Sequence, residues 1–157
     1  MATLTTTCSV LATGLITRYE GFEPKPYKDP VGIWTIGYGF TSLKNSPITV
    51  NTPLMSQEEA LIELKARLLL LNQQLIVICF EPLTDHQRAA LLSFTYNIGI
   101  GAFQGSTLLK YLNDGAYGAA ASEFLLWTHS KGITLPGLVK RREAELTCFK
   151  TKDVTPK

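Results

Sequence analysis

The chain has 157 residues, the size of one ordinary domain and long enough to bury a sizeable core. With 45% hydrophobic and 18% charged residues, the composition excludes both a disordered polyelectrolyte and an integral membrane bundle. A net charge of +2 gives no electrostatic case for gripping nucleic acid with the whole surface.

The N-terminal stretch MATLTTTCSVLATGLITR carries no basic residue ahead of its mildly apolar part, so no cleaved secretory signal is expected. Residues 9–20 predict a first helix ending near Glu20, because Gly21 follows at once and Pro24 and Pro26 cannot continue it. The run PYKDPVGIWTIGYGFT mixes β-branched and aromatic residues with Gly32, Gly37 and Gly39, and DPVG predicts a turn between two short strands. Asp29 falls at that turn and Thr35 on the strand after it. Residues 43–54, rich in Asn, Pro, Ser and Thr, read as a loop.

Ser56 followed three residues later by Glu59 is a capping-box signature. Leu61, Leu64, Leu68, Leu71, Leu75 and Ile78 then recur at intervals of three and four, predicting one helix of about 24 residues that stops before Pro82. At 1.5 Å per residue it reaches about 36 Å, enough to connect two lobes. Asn72, Gln73 and Gln74 interrupt its apolar run, so it falls short of a membrane span. From Thr84 onward every segment reads as short and helical: TDHQRAALLSFTYNIG, GSTLLKYLNDG, YGAAASEFLLWTHS and LPGLVKRREAELTCF. The expected fold is therefore α+β and mainly helical. A small β-hairpin lobe (about 19–56) is joined by a long helix (about 56–80) to a helical lobe (about 81–150 plus the N-terminal helix), with ligands expected between the lobes.

Three cysteines, Cys8, Cys79 and Cys148, cannot all pair within one chain and have no metal-ligand spacing, so reduced thiols that catalysis does not need are expected. Residues 131–157 hold seven basic residues (Lys131, Lys140, Arg141, Arg142, Lys150, Lys152, Lys157) against three acids. This is either a solvated helix face or a patch for an anionic polymer or membrane surface.

Taken singly, Glu20 is a helix-terminal carboxylate, Asp29 a turn residue and Thr35 a strand former. Taken together, EGFEPKPYKDPVGIWTIGYG resembles the phage-type lysozymes or endolysins, glycoside hydrolase family 24, whose pattern runs Glu-Gly, Tyr-x-Asp, x-x-Gly, x-x-Thr-x-Gly-x-Gly at this spacing. ALLSFTYNIGIGAFQGSTLL and GLVKRREAE match further on, so the resemblance covers roughly residues 15–149.

The resemblance implies a lysozyme-like two-lobe fold and a role for each matching residue. Glu20 is similar to the general acid, Asp29 to the carboxylate that holds the attacking water, and Thr35 to the hydroxyl that orients it. That chemistry needs these residue types, since glycoside hydrolysis takes one protonated carboxyl and one ionised carboxylate, which cannot share one environment. Arg141 is similar to an arginine that reaches the acid; the Arg141 and Arg142 pair also fits an ordinary amphipathic helix face. Thr41, Tyr96, Asn97 and Ser106 fall at substrate-binding positions, where sugar faces stack on aromatics and hydroxyls need polar partners. Tyr38 and Trp127 are weaker candidates, and Trp127 reads first as a core residue. One departure stands out: the family commonly reads Gly-His-Thr where this chain has Gly39, Phe40 and Thr41, so the tether between the lobes must be packing. Neither His86 nor His129 is an obvious replacement.

The function implied is a muramidase that cuts the β-1,4 bond between N-acetylmuramic acid and N-acetylglucosamine in bacterial peptidoglycan. Inversion is expected, with no cofactor or metal. The resemblance further implies a monomer, with neither nucleic acid nor stable membrane insertion, made in the host cytoplasm and released to the wall, with a separate pore protein (a holin) able to assist. The alternative is a non-catalytic peptidoglycan-binding protein on the same fold.

Overall fold

The computed structural model describes residues 3–130 and 132–154. Helix α1 (Thr6–Glu20) is capped by the Thr5 hydroxyl, which accepts from the Cys8 amide, and so begins earlier than the expected residue 9. Strands β1 (Glu23–Lys28) and β2 (Trp34–Gly37) pair antiparallel, with Tyr27 opposite Thr35 and Lys28 opposite Trp34. The ladder is irregular between Glu23 and Tyr27, where Pro24 and Pro26 have no amide hydrogen to donate.

Within the expected loop 43–54 lies a minimal hairpin, β3 (Ser42–Leu43) with β4 (Ser46–Pro47). Lys44 and Asn45 have φ of 49° and 65°, the left-handed pair that closes a tight two-residue hairpin. Composition reads such a segment as loop because only two residues on each side pair.

Helix α2 (Gln57–Ile78) runs 22 residues from a complete Ser56–Glu59 capping box. Its buried positions include Leu64, Leu68 and Leu75 from the predicted stripe. Helix α3 (Asp85–Ile98) is the centre of the helical lobe: every residue from Arg88 to Thr95 is buried, which requires neighbours all round. Those neighbours include α1 and α7 (Pro136–Lys150). Between α3 and α7 run α4 (Ile100–Gln104), α5 (Thr107–Asn113) and α6 (Tyr117–Glu123). The helical reading of 117–130 requires correction. Residues Phe124–Leu126 form a 3-10 turn, and β5 (His129–Ser130) then pairs with β6 (Ile133–Thr134).

The lobes meet at Phe40, which is fully buried. The Arg67 guanidinium of α2 lies 4.3 Å from its ring centroid, and Arg67 Nη2 donates to the Ser42 carbonyl at 2.5 Å. The tether is thus packing, as expected for a phenylalanine, reinforced by a cation on the ring face. Gly37 makes this possible: its φ is +66°, and a Cβ there would stand 2.7 Å from the Phe40 ring. Across the same junction Tyr96 donates its hydroxyl to the Tyr38 carbonyl at 2.6 Å, and Gln57 Nε2 donates to the Tyr38 hydroxyl at 3.2 Å.

The three cysteines are free. Burial pushes the Cys8 thiol up to about 12 and those of Cys79 and Cys148 to about 11, so all three are protonated and poor nucleophiles at neutral pH. Of the basic stretch, Arg141 and Arg142 are buried whereas Lys140, Lys150 and Lys152 are exposed, so it is not one solvated face. Lys131 and Lys157 lie outside the described residues. Among those residues no helix is long and apolar enough to cross a membrane, and no cluster of three His, Cys, Asp or Glu side chains could hold a metal ion.

Candidate active site

Glu20 is the last residue of α1, an unfavourable place for a carboxylate because carbonyl dipoles converge there. A buried cation compensates: Arg141 Nη1 donates to Glu20 Oε2 at 2.5 Å, with the arginine 3% and the glutamate 19% exposed. The other oxygen, Oε1, faces Gly39, where a Cβ would approach it to 2.6 Å; with φ of +79° this position suits only glycine. The acid is therefore fixed by one helix at Oε2 and by bare backbone beside Oε1.

Asp29 is held differently. Its Oδ1 accepts from the amides of Val31 (3.0 Å) and Ile33 (2.8 Å), closing the DPVG turn, and its own amide donates to the Ile33 carbonyl at 2.9 Å. Both side-chain bonds use Oδ1, so the turn makes no demand on Oδ2. Thr35 is buried on β2, and its hydroxyl donates to the Ile33 carbonyl at 2.9 Å. With its proton committed, that oxygen can only accept from a water.

Tyr27 lies opposite Thr35 on β1, between the two carboxylates in sequence. Its phenol is pushed up by burial and by the charges of Glu20, Glu23 and Asp29, which keeps it a neutral donor beside the acids. The Tyr-x-Asp spacing contained this residue, but nothing in it separated a site tyrosine from a strand former. The Tyr96 phenol is likewise pushed up, by burial first and by Glu20 second.

Of the residues expected to bind substrate, Thr41 is exposed in the β lobe. Asn97 is exposed at the end of α3, and its Oδ1 accepts from Arg142 Nη2. Ser106 is buried as the cap of α5, donating to the Phe103 carbonyl at 2.6 Å and accepting from the Leu109 amide at 3.2 Å. Trp127 packs edge-on against Phe94, with ring centroids 5.7 Å apart. Sequence reasoning did not single out Glu145 or Ser93, although Glu145 is fully buried between Arg141 and Arg142. The RREAE spacing held the signal, since i,i+3 and i,i+4 pairs share a helix face, but it could not say that the face points inward.

A groove of about 620 Å³ between α1 and α2 is lined by Leu4, Val10, Leu61 and Leu69, with Lys65 as its charged group. It offers no pair of acids.

The sequence model of the family described as phage lysozyme matches residues 17–145, a span that contains all of these site residues. An endolysin of Acyrthosiphon pisum secondary endosymbiont phage 1 is 41% identical over 143 residues, covering 87% of this chain and 93% of that protein. An endolysin of Bacillus phage B103 is 42% identical over 144 residues, and the match covers 87% of this chain but 51% of that protein, so the chain spans about half its length. The solved structure of an endolysin from Escherichia coli O157:H7 phage FAHEc1 superposes with a TM-score of 0.82 at 31% identity, covering 99% of this chain and 98% of that one. Family model, sequence relatives and backbone thus agree, and the chain belongs to the phage lysozyme family of glycoside hydrolases.

Proposed function

We propose that the chain hydrolyses the β-1,4 bond between N-acetylmuramic acid and N-acetylglucosamine of peptidoglycan with inversion, Glu20 acting as general acid and Asp29 as general base. The observation that carries this reading is the contrast between the two carboxyl sites: Glu20 tied to Arg141 through one oxygen, Asp29 clasped by turn amides through one oxygen. In each case the second oxygen is available for the reaction.

Glu20 Oε1 delivers its proton to the glycosidic oxygen as the bond to the anomeric carbon breaks. On the opposite face a water donates one hydrogen to Asp29 Oδ2 and the other to Thr35 Oγ1, so its lone pair points at the anomeric carbon. Asp29 takes the proton as the new C–O bond forms, and the two carboxyls end with exchanged protonation. This route needs the carboxyls roughly 6.5–9.5 Å apart to admit the water, rather than the ~5 Å of direct attack. Asn97 and Thr41 contact the glycan, and Ser106 supports that wall by capping α5.

Two measurements test it. Mass spectrometry of digested peptidoglycan should show muropeptides with reducing muramic acid ends; anhydro ends would mean transglycosylation. Early NMR of the product should show the α-anomer before mutarotation. The β-anomer at early times would make Asp29 a nucleophile.

A further inference from the structure

The residue that holds Glu20 is itself held. Arg141 directs Nε to Glu145 Oε2 (3.1 Å) and Nη2 to the Ser93 carbonyl (2.9 Å), leaving Nη1 for Glu20. Glu145 is fully buried and engaged at both oxygens: Oε2 also accepts from the Ser93 hydroxyl at 2.6 Å, and Oε1 accepts from Arg142 Nη1 at 2.5 Å. Arg142 continues outward, with Nη2 donating to Asn97 Oδ1.

We propose that Glu145 is the positioning residue for both walls of the site, its Oε2 arm setting Glu20 through Arg141 and its Oε1 arm setting Asn97 through Arg142. This rests on the reading of Glu20 as the acid. Two guanidiniums on consecutive residues repel, and in a buried setting the repulsion is weakly screened. A single carboxylate one helical turn away, with one oxygen for each, splits them toward different targets. Stability alone does not account for the cluster, because buried ion pairs are often replaceable by apolar residues without loss. What the charges supply is direction, since a guanidinium bonded at three nitrogens has one orientation left.

The test is steady-state kinetics of the whole chain on soluble peptidoglycan strands, with circular dichroism as the check on folding. Glu145→Asp keeps the charge but withdraws both oxygens by about one bond length, and kcat should fall ~10- to 100-fold, the scale of a 1 Å misplacement. Ser93→Ala removes one donor from the Oε2 arm and should lower kcat several-fold. Arg142→Lys should act on KM more than on kcat. In kcat, Arg141→Lys combined with Glu145→Asp should be no worse than the poorer single variant, because both lesions act on kcat through the Oε2 arm. Wild-type kcat in folded Glu145→Asp and Ser93→Ala, or losses that multiply in the double variant, overturns the proposal; wild-type KM in Arg142→Lys overturns its second arm. Glu145→Gln leaves buried Arg142 with no carboxylate partner and Arg141 with Glu20 alone, and is the variant most prone to misfold, so Glu145→Asp and Ser93→Ala decide. Glu20→Gln in the same assay separates the two claims: if it is active the acid assignment fails, and if it is dead while Glu145→Asp is normal only the positioning role fails.

Discussion

Asp29 and Glu20 have opposite supports. The hydrogen bonds that fix Asp29 come from residues two and four positions away, within one β-turn and the residue that follows it. The bond that fixes Glu20 comes from Arg141, 121 positions away, and Arg141 depends in turn on Ser93 and Glu145. One acid is oriented by its own loop and the other by the assembled helical lobe. The β-turn can form as soon as its few residues meet, whereas the Glu20 site exists only when α1, α3 and α7 have packed. Damage to the helical lobe should therefore reach Glu20 and spare Asp29.

The largest expected effect is at the acid. Glu20→Gln keeps size and shape but removes the proton, so turbidity clearing of permeabilised cells should slow at least ~100-fold with circular dichroism unchanged. Retention of more than about a tenth of the activity would end the assignment. Next comes Gly39→Ala, whose Cβ would collide with Glu20 Oε1 at 2.6 Å on a backbone with φ of +79°. The displacement and strain of about 1–3 kcal/mol should cost at least tenfold in kcat, and a normal kcat would mean that Oε1 does not need this place.

The inter-lobe tether separates the regions further. Arg67→Met retains length but removes the cation over Phe40, and chemical denaturation should register about 1 kcal/mol, with kcat little changed. Loss of kcat instead would mean that the tether governs lobe closure.

The smallest effect lies at the C-terminal segment. The amides of Asp85 and His86 donate to Asp153 at 2.8 and 3.1 Å, and His86 Nδ1 lies 2.7 Å from it, so the C-terminal segment caps α3. The side-chain bond with His86, followed by the two amides, holds the Asp153 carboxyl below its ordinary value of 3.8. A carboxyl lowered on folding stabilises the protein above its unfolded value, and that contribution disappears as pH falls through the folded one. Asp153→Asn should thus cost about 0.5–1 kcal/mol at neutral pH, a modest figure because the side chain is 35% exposed, and should flatten the loss of stability below about pH 4. An unchanged acid limb would show that the tail does not cap α3 in solution.

The sequence made local features legible where the cause was local. The Ser56–Glu59 box, the inward stripe of α2 and the DPVG turn follow from spacings of two to four residues, and each formed as expected. The β3–β4 and β5–β6 hairpins were missed because each strand has only two paired residues, too few for a period. The motif spacing also brought out Glu20, Asp29, Thr35 and Arg141. It placed Glu145 on the face of Arg141 and Arg142 but did not single it out, because a charged residue on a charged helix reads as solvated until another element covers it.

By itself, then, the sequence determined the long helices, the DPVG turn and the residue types available for chemistry, since capping, periodicity and turn formation act over a few bonds. Only the tertiary structure decided which charges are buried and what they point at. Arg141 and Lys140 are chain neighbours with similar charge, yet one is 3% exposed and bonded to the acid while the other faces solvent. That difference arises from the packing of α7 against α3, where a rotation of about 100° between consecutive helical residues separates interior from surface.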